Sequence, residues 1–112
     1  MLSEVSMKLY LDDKRDCPPG WIYVSTAKAA IALLAKGIVE ELSLDHDLGE
    51  PVEVVGTGYD VVLWLEEQVF SHNNFAVVPN KITVHSANVV GRRNMLAGIA
   101  NIERLLDTRE RI

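Results

Sequence analysis

The chain is poor in several things that would otherwise decide its class. It has one cysteine, Cys17. A single thiol cannot close an internal disulfide, so a secreted disulfide framework is excluded. Basic residues are outnumbered, 11 Lys and Arg against 16 Asp and Glu, for a net charge of -5. That balance leaves no broad basic surface, and a protein that neutralises many phosphates of duplex DNA is not expected. No apolar stretch approaches the ~20 residues needed to span a bilayer. The N-terminus has no charged segment followed by a long apolar run, so no signal peptide and no membrane partner are expected, and a cytoplasmic setting follows. There is no glycine-rich phosphate loop, no cysteine-based zinc pattern and no serine-hydrolase elbow.

What remains is an ordinary globular composition, 48% hydrophobic and 24% charged over 112 residues. This fits one domain, residues 1–112, with a core over about 7–106. Residues 1–6 read as a lead-in. Met7, Leu9 and Leu11 alternate with polar residues in the period of a strand, which ends at Asp12-Asp13. Pro18-Pro19-Gly20 forbids a helix in the next segment. Trp21 to Val24 is a second short strand. The connection is too short for a helical crossover, so either the loop itself crosses over or the two strands are not parallel neighbours.

Ser25 or Thr26 caps a helix with Ala27, Ala30, Ile31 and Leu34 on one face, closed by Lys36-Gly37. A third strand centres on Leu42-Ser43-Leu44, and a loop spans Glu50 to Gly56. Thr57, with Asp60 three residues on, starts a helix running to about His72, with Tyr59, Val62, Leu63, Val69 and Phe70 as its expected buried face. Ala76 to Asn80 is loop or short extended chain, and Ile82 to His85 is the last strand. Asn88 caps a final helix with Met95, Ile99, Ile102 and Leu106 on one stripe, ahead of a solvated tail from Asp107 to Arg111. Strands alternating with helices give an α/β, three-layer sandwich around a mostly parallel four-stranded sheet. Right-handed crossovers place the strand ends on one edge, where ligands bind in such sheets.

That edge collects the chemistry. Asp12 and Asp13 end the first strand, Asp45, His46 and Asp47 the third, and His85 and Ser86 the fourth. Four ionised carboxylates on one rim repel one another, so a divalent cation, an arginine or proton uptake must offset them. Asp12, Asp13, Asp45 and Asp47 are the candidate metal ligands, although neighbours on a strand point in opposite directions and all four need not serve. An oxygen set favours Mg²⁺ or Mn²⁺, and a histidine among the ligands shifts the preference toward Mn²⁺ or a softer metal. His46 and His85, with Asp45, are the candidate catalytic groups: two imidazoles flanking a phosphate can activate water and protonate a leaving oxygen. The competing reading of either histidine alone is a hydrogen-bonded core residue. Arg15, Ser86, Asn88 and Arg92 are candidate phosphate ligands, at a helix N-terminus or beside the acid pair. Trp21 and Tyr59 could stack on a base, though core packing accounts for both.

The order of these motifs resembles the receiver domain of two-component response regulators. In that family an acid pair holds Mg²⁺, a later Asp accepts a phosphoryl group, and a Ser/Thr follows its state. The lysine-bearing fifth strand and the helix after the acid pair have no counterpart here. Those departures resemble a divergent branch, the cyclic-phosphate processing receiver domains, through Asp12-Asp13-Lys14-Arg15, Pro18-Pro19-Gly20-Trp21, Ser43-Leu44-Asp45-His46-Asp47-Leu48-Gly49, Thr57-Gly58-Tyr59-Asp60 and His85-Ser86-Ala87-Asn88, with Gly91 and Met95 following. The resemblance implies a reduced receiver (flavodoxin-like) topology. It also implies a role in processing cyclic phosphates, for instance at RNA ends in repair. A metal-assisted phosphoesterase acting on a cyclic or terminal phosphate of a nucleotide or RNA end is therefore the leading expectation. A non-catalytic module with Asp45 or Asp47 as phosphoacceptor is the alternative.

Overall fold

A computed structural model describes residues 6–14 and 16–110. Residues 1–5 of the expected lead-in, Arg15, and Arg111 of the expected tail lie outside them. Four strands, Met7–Leu11 (β1), Ile22–Val24 (β2), Val39–Leu44 (β3) and Lys81–Val84 (β4), pair in parallel in the order β2-β1-β3-β4. This is the flavodoxin-like order without a fifth strand among the described residues, as the reduced receiver topology requires. β1 and β2 are parallel neighbours, so of the two expected arrangements it is the proline loop that crosses over.

Register follows from burial. Leu9 pairs with Leu42 and Leu42 with Ile82, while Leu11 pairs with Leu44 and Leu44 with Val84. All six are buried in one cluster. A shift of one residue would turn every one of them to the other face.

Three helices cover that apolar face: Ala27–Leu34 (α1), Gly58–His72 (α3) and Val89–Glu110 (α4), with a one-turn helix, Val52–Val55 (α2), before α3. α1 packs on α3 and α3 on α4, and all three contribute to the core shared with the strands. The opposite face carries the rows Lys8–Glu41–Lys81 and Tyr10–Ser43–Thr83; Lys8, Lys81 and Thr83 are exposed. The α/β class and the parallel sheet are as expected, but the third layer is not there among the described residues. The Cα trace is 20 Å deep along its shortest axis, room for a sheet and one layer of helices each ~10 Å across. The cause lies in the chain. Pro18-Pro19-Gly20 replaces the helix after β1, and no fifth strand among the described residues brings a helix back to that face.

Local signals account for the helix boundaries. The Thr26 hydroxyl accepts from the Ala29 N–H at 3.1 Å. Thr57 and Asp60 make a reciprocal capping box. Asn88 Oδ1 accepts from the Gly91 N–H at 2.9 Å. Asn73 closes α3 in the left-handed region, with φ of 53°. Two expectations are corrected. The span Glu50 to Gly56 is not all loop, since it contains α2 after a cis Glu50–Pro51 bond. The buried face of α3 is Gly58, Val61, Val62, Leu65 and Val69, a stripe at i, i+3, i+4, i+7 and i+11. Leu63 and Phe70 lie off it, 43% and 55% exposed. On α4, Met95, Ile99 and Ile102 are buried and Leu106 half-buried. The 107–110 part of the expected tail is its last helical turn, and Phe75–Val77 is a 3-10 turn. No helix among the described residues is long and apolar enough to cross a membrane.

Candidate functional site

Side chains alternate along a strand, and that alternation selects which acids meet. Tyr10, Ser43 and Thr83 point away from the helices. The ladder continues one residue past each strand, with the Asp12 N–H donating to the Val24 carbonyl (3.2 Å), Asp45 to Leu11 (3.0 Å) and His85 to Leu44 (2.9 Å). Asp12, Asp45 and His85 therefore extend the Tyr10–Ser43–Thr83 row at the carboxyl edge. One ligand atom from each lies within 4.8 Å of the others.

The set is braced from below. His85 Nε2 lies 3.0 Å from Asp12 Oδ2, and Nδ1 lies 2.7 Å from Ser43 Oγ. The Tyr10 ring stacks on the imidazole at 4.4 Å and 3°, and Trp21 meets Tyr10 edge-on at 6.1 Å. Burial pushes the Asp12 carboxyl up, but the Lys14 N–H at 3.0 Å, hydrogen bonding with Asp13, and His85 together hold it below the usual carboxylate range. Asp13 moves the other way, raised by desolvation, by its hydrogen bond with Asp12 and by the charges of Asp12 and Asp45. Asp45 makes no side-chain hydrogen bond or ion pair with the described residues, and Gly58 sits against its carbonyl so closely that a Cβ there would overlap it.

A second group lies alongside. His46 Nδ1 is 2.8 Å from Asp47 Oδ1. The Asn88 amide donates to both Asp47 oxygens, at 3.2 and 3.4 Å. Those contacts, His46 foremost, depress the Asp47 carboxyl against a smaller opposing effect of burial. The His46 ring packs on Gly91, where a Cβ would come within 2.5 Å of it. Asp47 lines the same open cleft, about 360 Å³, as Asp12, Asp13, Lys14, Asp45, His85 and Ala87.

The structure thus brings Asp12, Asp45 and His85 into one potential ligand set, with Asp13 and Asp47 on the cleft wall and His46 paired behind Asp47. Ser86 Oγ accepts from the Asn88 N–H at 3.1 Å, and the Asn88 side chain is committed to Gly91 and Asp47. Arg92 donates to the Val84 carbonyl at 2.7 Å. Arg15 lies outside the described residues. Three participants carry no assignment from sequence: Lys14, Tyr10 and Ser43. Lys14 was signalled by its place beside the acid pair; the other two become visible only from their alignment with Asp12 and His85.

The donor set suits a small divalent cation. Donors at ~2.0–2.2 Å from a common ion stand at most ~4.4 Å apart, so at most a small closure would let Asp12, Asp45 and His85 share one. Two carboxylates and one imidazole, with open positions toward the cleft, could hold a divalent cation with water completing the shell. The offsets match as well. His85 and the Lys14 N–H serve Asp12, and His46 and Asn88 serve Asp47, while Asp45 has no such partner among the described residues.

Among known proteins, a family model described as a cyclic-phosphate processing receiver domain matches residues 7–101. No curated protein and no solved structure matches the chain.

Proposed function

This chain belongs to the cyclic-phosphate processing receiver family, and from that premise we propose that it is a metal-assisted phosphoesterase acting on a cyclic or terminal phosphate of a nucleotide or RNA end. The observation that carries the reading is the convergence of Asp12, Asp45 and His85 within 4.8 Å, on a cleft that Asp47 also lines. Asp12, Asp45 and His85 hold a divalent cation, Mg²⁺ or Mn²⁺. Such a cation withdraws charge from a phosphoryl oxygen and acidifies water. His85 Nε2 faces this set, so its role is that of a ligand. Protons pass through the His46–Asp47 pair, in which imidazole and carboxylate are already in contact. Lys14 and Ser86, with the remaining N–H groups of Arg92 and Arg15 beside the acid pair, meet phosphate oxygens. In the reaction a water oxygen bonds to phosphorus, the bond from phosphorus to one ribose oxygen breaks, and the proton lost by water ends on that oxygen. From a cyclic phosphate the product is a phosphomonoester, and from a terminal phosphate it is inorganic phosphate. A cytoplasmic setting, with Cys17 a free thiol, accompanies this reading.

The test is to incubate the purified chain with 2′,3′-cyclic nucleotides and with RNA oligomers ending in a cyclic phosphate. Expected is a monophosphate product that requires Mg²⁺ or Mn²⁺ and disappears with chelator. Absence of turnover on every substrate with either ion overturns the proposal. One observation favours a second reading, a phosphoacceptor module: the Asp45 carboxylate stands without a hydrogen-bond partner among the described residues at the end of β3. Acetyl phosphate followed by mass spectrometry separates the two, since a stable phosphoryl adduct on Asp45 without phosphoesterase turnover selects the module.

A further inference from the structure

We infer that Ser43 is a positioning residue, which orients His85 and lets its outward nitrogen serve either as a hydrogen-bond donor to Asp12 or as a ligand to the cation. The inference rests on the metal reading above and names a part of the site that the reading leaves unassigned. Ser43 is a buried polar residue on the central strand β3, 7% exposed. Its hydroxyl is 2.7 Å from Nδ1 of His85, one residue past the neighbouring strand β4. The Tyr10 ring lies flat against the imidazole, so ring tilt is limited by stacking and ring rotation by Ser43.

Serine, histidine and aspartate in contact suggest a nucleophile, but the order is reversed. In a hydrolytic triad the serine meets Nε2 and the aspartate Nδ1. Here the serine is on Nδ1 at the buried end, and Asp12 is on Nε2 at the open end. That is the arrangement of a metal-binding histidine, whose remote nitrogen is held by a second partner. A hydroxyl suits this place because it both donates and accepts. Without a cation, the Ser43 O–H donates to Nδ1 and Nε2–H donates to Asp12. With a cation on Nε2, the proton resides on Nδ1 and the same hydroxyl accepts it. Neither alanine nor a fixed acceptor such as a backbone carbonyl could serve both states.

The test compares wild type with Ser43→Ala, Ser43→Cys and Ser43→Thr. Mn²⁺ affinity is measured by calorimetry, and the His85 tautomer by ring carbon and nitrogen NMR shifts, with chelator and with Zn²⁺ as a diamagnetic probe. Expected is a loss of Mn²⁺ affinity of about 10–100-fold in the alanine variant, a comparable loss for cysteine, which conserves volume but is a weak hydrogen bonder, and near wild-type affinity for threonine. Expected too is a change of His85 from the Nε2–H to the Nδ1–H form on adding Zn²⁺ in wild type, with altered tautomer populations in the alanine variant. Wild-type affinity in both the alanine and cysteine variants, or a loss confined to threonine, overturns the role of Ser43 while leaving the phosphoesterase reading intact. A wild-type chain that takes up no cation removes the metal reading instead. The chelated tautomer comparison then decides Ser43 alone, and identical populations in wild type and alanine variant overturn it.

Discussion

His85 and His46 follow equivalent strands, and the structure gives them unlike surroundings. His85 is held at both ring nitrogens by residues distant in sequence and stacked on Tyr10, with its outward edge among carboxylates. His46 is held by its own neighbour Asp47, whose side chain is 64% exposed, and rests on Gly91 at the start of α4. Both rings are largely covered, 24% exposed for His85 and 19% for His46, so it is their partners that differ. On the proposed reading His85 is the ligand and His46 the proton carrier, and that division can be broken experimentally.

The largest separation is expected from deleting each ring. His85→Ala or Asp12→Asn should abolish Mn²⁺ binding in calorimetry and all turnover with it. His46→Ala should leave Mn²⁺ affinity close to wild type and lower kcat on a cyclic nucleotide by about 10²–10⁴-fold, the range for loss of a general acid or base. Equal loss of metal in both variants would erase the distinction. Next in size is Gly91→Ala. A Cβ within 2.5 Å of the His46 ring forces it aside. A displacement near 1 Å can cost about 100-fold in rate, and it should do so here without affecting the metal.

The fold was largely legible because its signals are local. Alternating apolar residues in β1 and β3, the threonine caps and the proline loop each act within a few residues. The division of the rim was not, because it depends on register between strands far apart in sequence. Once Leu9, Leu42 and Ile82 are aligned on the helix side, counting by twos sends Asp12, Asp45 and His85 to the open side. It sends His46, which shares the parity of Leu44, the other way, while Asp13, in the loop past β1, still lines the cleft. Adjacent acids could be seen to diverge, but which of each pair turned to the open side required that alignment. Ser43 was hidden for the same reason, since its partner lies 42 residues later, just past another strand. Leu63 and Phe70 failed differently: both are apolar and lie one step off the packed stripe, where composition does not distinguish covered from uncovered positions.

A smaller effect sharpens the comparison at the backbone. Gly58 begins α3 while touching the Asp45 carbonyl, and its N–H donates to the His46 carbonyl at 3.0 Å. It thus ties both halves of the rim to one helix start. Gly58→Ala should destabilise the fold by about 1–3 kcal/mol through overpacking and disturb metal affinity and turnover together. Thr57→Ala, one residue earlier, removes only the capping hydroxyl and should cost ~1 kcal/mol with metal affinity retained.

The smallest effect concerns charge, and its sign differs within one acid pair. Asp12 is depressed in the folded chain, so its contribution to stability is present above the ordinary carboxylate range and is lost as pH falls through its lowered pKa. Asp47 is depressed too, through His46 and Asn88, and behaves likewise with a smaller weight because it is exposed. Asp13 is raised, so its ionisation opposes folding once pH rises through its elevated pKa. In chelator at neutral pH, Asp12→Asn should lower the melting temperature, Asp47→Asn should lower it less, and Asp13→Asn should raise it slightly, because solvent screens an exposed carboxyl. At about pH 3, where unperturbed carboxylates are largely protonated, all three differences should shrink. Saturating Mn²⁺ should erase the Asp13→Asn gain at neutral pH, because a cation between Asp12 and Asp45 offsets the charges that burden Asp13. A gain that persists unchanged with Mn²⁺ present would place the cation away from this edge.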